Sequence, residues 1–516
     1  MDDQMDAEPD VDVSAWVTVP DFSTLFLTPA SLERLDYHPR VSPNQMDDQV
    51  VAEAVSADAV PPDILSLIFQ YTLLLTHRYW QCRFVIVLAS VCQSWRATCI
   101  DTPCLWSRIG PLIRTYDIIR LFLQRSHNCP LFIEYDKSGE DERILPLLAL
   151  ESERWFHVRF DIAPSSYPLL SSIRGRLPLL RTLILWHAWG GEVDIGTSTN
   201  ESDTSTGDLN TARAQDQEYF PGFETAPSLL EFAFHSPYLK ESFPLPWIQL
   251  TELTCSQAHS SNLYPILLNV PNLSQLFLSR LIYDSIDESV IPDGHTFPLV
   301  VLHVTDCDLR VLHSILRRIP NIEVLTIDIW ERVKMCDCHT PIVLPNLNSL
   351  CIQVNRYVPF FAQSFKVHAP MLSKLKFECD DVMDDDEDED DGNEDVVPLW
   401  FVGGLGSAML RFLTEFIKDA GCVLTSLKLE MEVDFDSVDM ESLLRVVPSL
   451  EHLDIKLVVQ GGHGRIPLEA MTPACTTLPN LKTFYLRIPR TDFTFDEVQQ
   501  LLSFVAGSMN LKVKLC

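Results

Sequence analysis

The sequence predicts an α/β chain: a small helical module near the N-terminus, then an irregular repeat solenoid with a parallel sheet on its concave face. Three observations carry this expectation. A phrase with the skeleton Pro-x-Φ-x-x-Φ-x-Φ, where Φ is a large apolar residue, returns along the chain from residue 178 onward. Its last three positions alternate with period two, as a strand with one buried face requires. Residues 60–106 combine apolar residues at helical spacing with a prolyl start and a Thr-Pro stop.

Composition bounds the function classes. At 516 residues, 46% hydrophobic and 22% charged, the chain has ample material for a folded core. Its net charge of −33 argues against a nucleic-acid partner, because phosphate-backbone binding needs clustered Lys and Arg. Twelve of the acids fall in residues 380–395 (DDVMDDDEDEDDGNED), and the remainder is still strongly acidic. The N-terminus, MDDQMDAEPD, has neither the basic nor the apolar region of a secretory signal. Apolar runs such as FVIVLASVC (84–92) fall short of the ~20 residues that span a bilayer. The expectation is a soluble chain of the cytoplasm and/or nucleus, without a membrane partner. Its 14 cysteines are then free thiols, most of them buried.

Residues 1–58 mix acidic and polar residues with a few apolar islands and read as a mostly disordered arm. The helical module follows, over 59–110. VPPDILSLIFQYTLLL (60–75) opens with prolines, whose missing N–H costs nothing at a helix start. Ile64, Leu65, Ile68, Phe69 and Thr72 then recur at helical spacing. A second helix is expected over about 83–99, carrying Leu88, Val91, Cys92 and Trp95. It must stop before Thr102-Pro103, since the residue preceding proline disfavours the α region. Leu105-Trp106 form a short third element, so Trp95 and Trp106 are expected to meet by chain reversal. Cys92, Cys99 and Cys104 are not read as a metal site, because their spacings are longer than zinc pairs use and no His is near.

These residues resemble an F-box. The family's opening Leu-Pro-x-Glu-Ile-Leu is matched by Val60-Pro61-Pro62-Asp63-Ile64-Leu65, and its later apolar pair by Ile68 and Phe69. Its Val-Cys-(x)2-Trp-basic pattern is matched by Val91 to Arg96, and its closing Pro-x-Leu-Trp by Pro103 to Trp106. Val60 and Asp63 are conservative replacements. The connection YTLLLTHRYWQCRF is longer and more apolar than the family's usual one.

The rest of the chain, 111–516, is read as the repeat array. First-Φ positions fall at 180, 229, 250, 273, 299, 322, 347, 372, 424, 450 and 481. Eight of these eleven phrases carry the proline, at 178, 227, 271, 320, 345, 370, 448 and 479. Most intervals match the 20–29-residue period of leucine-rich repeats. The two near 50 residues contain polar insertions, at about 188–218 and 380–396. LFIEYD (131–136) and WFHVRFDI (155–162) read as degenerate first strands, and LKVKL (511–515) as the last. LHSILRRIPN (312–321) and SLLRVVPSL (442–450) read as helices or helical turns on the other face. Thr494 and Glu497 form a capping box for a closing helix. The array resembles the irregular leucine-rich repeats that follow an F-box, without the family's frequent Asn after the strand.

Catalytic signatures are absent: no P-loop, GxGxxG, HExxH or nucleophile elbow occurs. GGLGSA (403–408) and GGHGR (461–465) read as glycine turns, and Cys336-Asp-Cys338-His339 as an ordinary loop. No enzyme, metal or cofactor is expected. The combined resemblance implies the substrate receptor of a Skp–cullin–F-box ubiquitin ligase. Its F-box would dock on a Skp-type adaptor, and through it a cullin scaffold, with the repeats capturing a protein target. The adaptor-facing set would then be Pro61, Pro62, Ile64, Leu65, Ile68, Val91 and Trp95, some of them filling the module's own core. The residues between Φ positions should point to the concave face, which names Phe277, His303, Thr326, Cys351, Lys376, Lys428, Asp454 and Tyr485 as one target-facing row. Lys374, His452 and Arg487 flank it. Two other readings stay open: an interaction scaffold with no ubiquitination role, and a small-molecule-gated repeat receptor.

Overall fold

A computed structural model describes residues 60–136, 141–162, 164–186, 221–235, 243–281, 291–292, 294–329, 341–354, 365–379, 405–432, 436–458, 478–488 and 512–515. The 1–58 arm, the 188–218 and 380–396 insertions, Cys336–His339, GGHGR and the Thr494/Glu497 box lie outside the described residues. The chain divides into two compact units, one of residues 60–77 and 83–105, the other of residues 78–82 and 106 onward.

The first unit holds three helices: α1 (Pro62–Leu75), α2 (Gln81–Val91, whose first two residues belong to the second unit) and α3 (Gln93–Ile100). α1 starts at Pro61-Pro62 and buries Leu65, Phe69 and Leu73, one residue per turn along one face. The single helix expected over 83–99 is two. Cys92 is extended (φ −155°, ψ 174°) and caps α3, its Sγ accepting the Trp95 N–H at 3.4 Å. Arg96 Nε donates to the Ala89 carbonyl at 2.9 Å, satisfying one of the acceptors that the end of α2 leaves open. The apolar pattern runs through this break, so periodicity alone could not locate it. A polar chain ties α1 to the far end of α3. Gln70 Nε2 donates to Ser66 Oγ (3.1 Å), Ser66 Oγ bonds Thr102 Oγ1 (3.0 Å), and Thr102 Oγ1 donates to the Thr98 carbonyl (2.7 Å). The expected stop holds: α3 ends at Ile100, and Pro103–Ser107 form a 3-10 turn. The two tryptophans expected to meet instead fall in different units. Trp95 packs edge-on against Phe69 (4.9 Å between ring centroids), and Trp106 edge-on against Phe122 (5.0 Å).

The second unit is built on one parallel sheet of 15 strands laid down in chain order. Its first half comprises β1 (Arg108–Ile109), β2 (Leu131–Asp136), β3 (Trp155–Asp161), β4 (Thr182–Trp186), β5 (Glu231–His235), β6 (Glu252–Ser256), β7 (Gln275–Ser279) and β8 (Val301–Thr305). It continues through β9 (Val324–Ile329), β11 (Ser349–Val354), β13 (Lys374–Cys379), β14 (Ser426–Glu432), β15 (His452–Val458), β16 (Thr483–Ile488) and β17 (Lys512–Leu515). Two short strands, β10 (Ile342–Val343) and β12 (Val367–His368), pair with each other apart from this sheet. Both degenerate first strands and the last one form where expected; β1 was not anticipated.

The recurrent proline has a geometric role. In seven of the eight proline-bearing phrases it is the second residue of a four-residue turn closed by a backbone hydrogen bond into the first Φ, as in Leu229 N–H to the Ala226 carbonyl across Pro227 (3.2 Å). Proline's fixed φ suits that position and needs no N–H there. The residue after the proline then reaches back one repeat. Ser228 Oγ donates to the Pro178 carbonyl (2.8 Å), Asn272 Nδ2 to Ile248 (2.7 Å) and Ser449 Oγ to Leu424 (2.9 Å). Every Φ of the eleven phrases is buried except the half-buried Leu481. The helices Leu309–Leu316 and Ser437–Val446 answer the two expected helical segments, capped by Asp308 and Asp436. The long interval before residue 424 is more than a polar insertion: Leu405–Ala420 is a 16-residue helix, and it begins inside the stretch read as a glycine turn.

The register assigns opposite fates to strand neighbours. Leu350 is 1% exposed, while Cys351 lies half-buried on the other face. Leu350→Ala should cost about 2–5 kcal/mol through lost burial and a cavity. Cys351→Ser should cost under about 1 kcal/mol. Chemical denaturation of the two variants beside the parent checks both, and equal losses would contradict the register.

Candidate functional site

The residues that the sequence reading assigns to partners fall on two surfaces, one on each unit. On the first, α1 is apolar on two faces. Its inner face uses Leu65, Phe69 and Leu73, yet Ile64, Leu67, Ile68, Tyr71, Leu74 and Leu75 form a second stripe that is 45–71% exposed. A helix that packs on one side only has no need of that second face. Contiguous apolar exposure is a common feature of interaction sites. Of the predicted adaptor-facing set, Pro61, Pro62, Ile64, Ile68 and Val91 are exposed. Leu65 is buried at 3%, and Trp95 is half-buried against Phe69; both serve the unit's own core. Sequence reasoning missed Leu67, Tyr71, Leu74 and Leu75. The signal was present: between Ile64 and Leu75 only Ser66, Gln70 and Thr72 are polar, too few for the broad polar face of an ordinary surface helix.

On the second unit, the sheet face opposite the buried Φ residues presents three rows of outward side chains. The predicted target-facing residues fall into one of them. Phe277 pairs with His303, His303 with Thr326, Thr326 with Cys351, and Cys351 with Lys376. Lys376 then pairs with Lys428, Lys428 with Asp454, and Asp454 with Tyr485. The row thus crosses eight adjacent strands without a slip. Lys374 and His452 lie in the row before it and Arg487 in the row after.

What the sequence did not show is how these groups pair. Lys376 and Lys428 both bond Glu378 Oε1, at 2.8 and 2.9 Å. Burial alone would push the Glu378 carboxyl up, but the two lysines hold it below the ordinary carboxylate value. Lys456 pairs with Glu430 on the neighbouring strand, and Arg487 Nη2 with Asp454 Oδ2 at 2.9 Å. His452 Nδ1 meets Thr483 Oγ1 at 2.6 Å. Toward the other end of the sheet, Trp186 stacks on His235 (3.8 Å) beneath the Arg159 guanidinium (4.8 Å). Burial, aided by Arg159, lowers the His235 pKa to about 4, so this ring is neutral at pH 7. Sequence reasoning named none of these three. Among the described residues no group of His, Cys, Asp and Glu is arranged to hold a metal, and no helix is long and apolar enough to cross a membrane.

No family model matches the chain, and no curated protein sequence matches it. Among solved structures it is similar to the crystal structure of the Rad7 and Elc1 complex in yeast. The TM-score is 0.30 and the identity 13%, over 88% of this chain and 92% of that one.

Glu378 supplies a pH signature. Its folded pKa is depressed, so its contribution is present above the ordinary carboxylate pKa of 4.5 and is lost as pH falls through the lower folded value. Glu378→Gln should therefore cost about 1–2 kcal/mol at pH 7, with the lysines' partial exposure limiting the loss. The gap to the parent should close as pH falls below 4.5, measured by urea denaturation across that range. A gap that does not vary with pH would remove the charge pairing as its cause.

Proposed function

We propose that the chain is the substrate-recognition subunit of a Skp–cullin–F-box ubiquitin ligase. In this reading the first unit is an F-box that docks on a Skp-type adaptor. The outward face of the long sheet captures a protein target, and a separately recruited enzyme transfers ubiquitin. This chain contributes proximity and orientation, with no catalytic residue and no cofactor. The observation that carries the proposal is the exposed apolar stripe on α1, because it lies on the helix that bears the F-box-like Pro61-Pro62-Asp63-Ile64-Leu65 motif. A helix with a spare apolar face suits the groove of a helical partner, with Ile64, Leu67, Ile68 and Tyr71 as anchors at i, i+3, i+4 and i+7.

Co-expression with a Skp-type adaptor tests this directly. Ile64→Asp combined with Ile68→Asp changes two residues that are about half exposed, so folding should survive. Loss of an anchor should cost ~2–4 kcal/mol, or roughly 30- to 1000-fold in affinity, and abolish co-purification. Leu65→Asp is the wrong probe, because it buries a charge in the unit's core and unfolds it. A folded double variant that still co-purifies stoichiometrically would refute the assignment. Target capture is tested separately, by target half-life with and without residues 60–105.

A further inference from the structure

The second unit contains a cavity of about 260 Å³ at the β1–β3 end of the sheet, remote in sequence from the predicted target-facing row. Its walls come from the segment Arg78–Cys82 and from the outward side chains of β1, β2 and β3. Arg108 lies over the Phe132 ring, its guanidinium carbon 4.4 Å from the centroid, and donates through Nη1 to Gln81 Oε1 (3.2 Å). Phe132 stacks on His157, with ring centroids 6.4 Å apart. Glu134 Oε1 is 3.8 Å from Arg78 Nη1, beyond hydrogen-bond range. Glu134 Oε2 is buried and receives no hydrogen bond from any described group. Arg78 is more than half exposed and already lines the cavity.

These groups define a ligand by complementarity. Burial lowers the His157 pKa, so at pH 7 the lining carries two guanidiniums against one carboxylate. The excess positive charge calls for an anion, and guanidinium forks are matched to carboxylates. The buried Glu134 oxygen calls for a donor on the same molecule, since a buried acceptor left unmade is costly. A cation alone would face two arginines, and a dianionic phosphate monoester would set its charge against Glu134 with no phosphate proton to donate. We propose that this cavity binds a small carboxylate bearing an N–H or O–H donor, of amino-acid size, with its carboxylate on Arg78 and Arg108 and its donor on Glu134. The site is independent of the adaptor-docking proposal and stands or falls apart from it.

The test uses the full chain and two probes that differ in the donor. L-glutamate has two carboxylates and an ammonium; glutarate is the same skeleton without the amine. Calorimetric titration should show saturable one-to-one binding of L-glutamate, with glutarate weaker by about tenfold or more. Arg78→Gln, at an exposed side chain, should weaken both probes by about tenfold. Glu134→Gln keeps the side-chain shape and should erase the preference for glutamate while leaving the melting temperature within a few degrees. The proposal is overturned by absence of saturable binding at probe concentrations up to about 10 mM. Equal binding of the two probes, or a preference that survives in a folded Glu134→Gln protein, overturns it as well.

Discussion

The second unit depends on one constraint: each phrase must turn, enter a strand and bury its three Φ residues in register with the phrase before it. The turn around proline fixes where the strand begins. The Ser or Asn after the proline bonds the preceding repeat and fixes how the two turns stack. Together they prevent a one-residue slip, which would send every Leu, Ile and Phe of a strand to the outward face. Leu276, Leu302, Leu325, Leu350, Leu375, Leu427 and Leu453 consequently align as one buried column across consecutive strands. The outward rows are the other face of that same column. The chemistry of the outward face is therefore inherited from packing, and any change that loosens the column blurs the surface with it.

The strand ends show the constraint meeting resistance. Gln257, Arg280 and Asp306 each follow the last residue of a strand and take positive φ, between 49° and 60°. Their N–H groups still add one further ladder bond, to Ser279, Thr305 and Asp328, each at 2.8 Å. A non-glycine residue in this conformation costs roughly 1–2 kcal/mol, and the ladder bond offsets it. The same local geometry recurs three times with three unrelated side chains, so the backbone, and not any one side chain, dictates the exit from the strand.

Much of this was legible because local and long-range signals agreed. Proline two positions ahead of the apolar phrase is a turn signal and a strand signal at once; eight of the eleven strands carry it, and the other three follow from the apolar spacing alone. β1 was not legible: two residues, Arg108-Ile109, carry no period. The break at Cys92 was hidden because Leu88 and Trp95, seven residues apart, keep helical phase across it. The helix at Leu405–Ala420 was masked by the acidic run before it and the glycines at its start. The two faces of α1 were legible only in part, since composition shows that a helix has more apolar residues than one face needs but not which face is covered. Least legible was the cavity. Its walls are drawn from residues 78, 81, 82, 108–110, 132, 134 and 157, and no sequence spacing foretells that they converge.

The pairing on the outward face changes what that surface can do. Lysines at 374, 376, 428 and 456 and an arginine at 487 look, in sequence, like a basic patch able to hold any acidic segment. In the fold, Glu378 is shared by Lys376 and Lys428, Glu430 takes Lys456, and Asp454 takes Arg487. A partner that docks there must exchange these ion pairs one for one before it gains anything. Unspecific acidic chains return little more than they displace, because exposed pairs are individually weak. A partner whose donors and acceptors match the row in position, with apolar groups for Phe277 and Tyr485, gains at every strand it crosses. Paired charge thus acts against wrong partners more than for the right one. Under the proposed target capture, that selectivity would reside in the register of eight strands and not in the overall charge of −33.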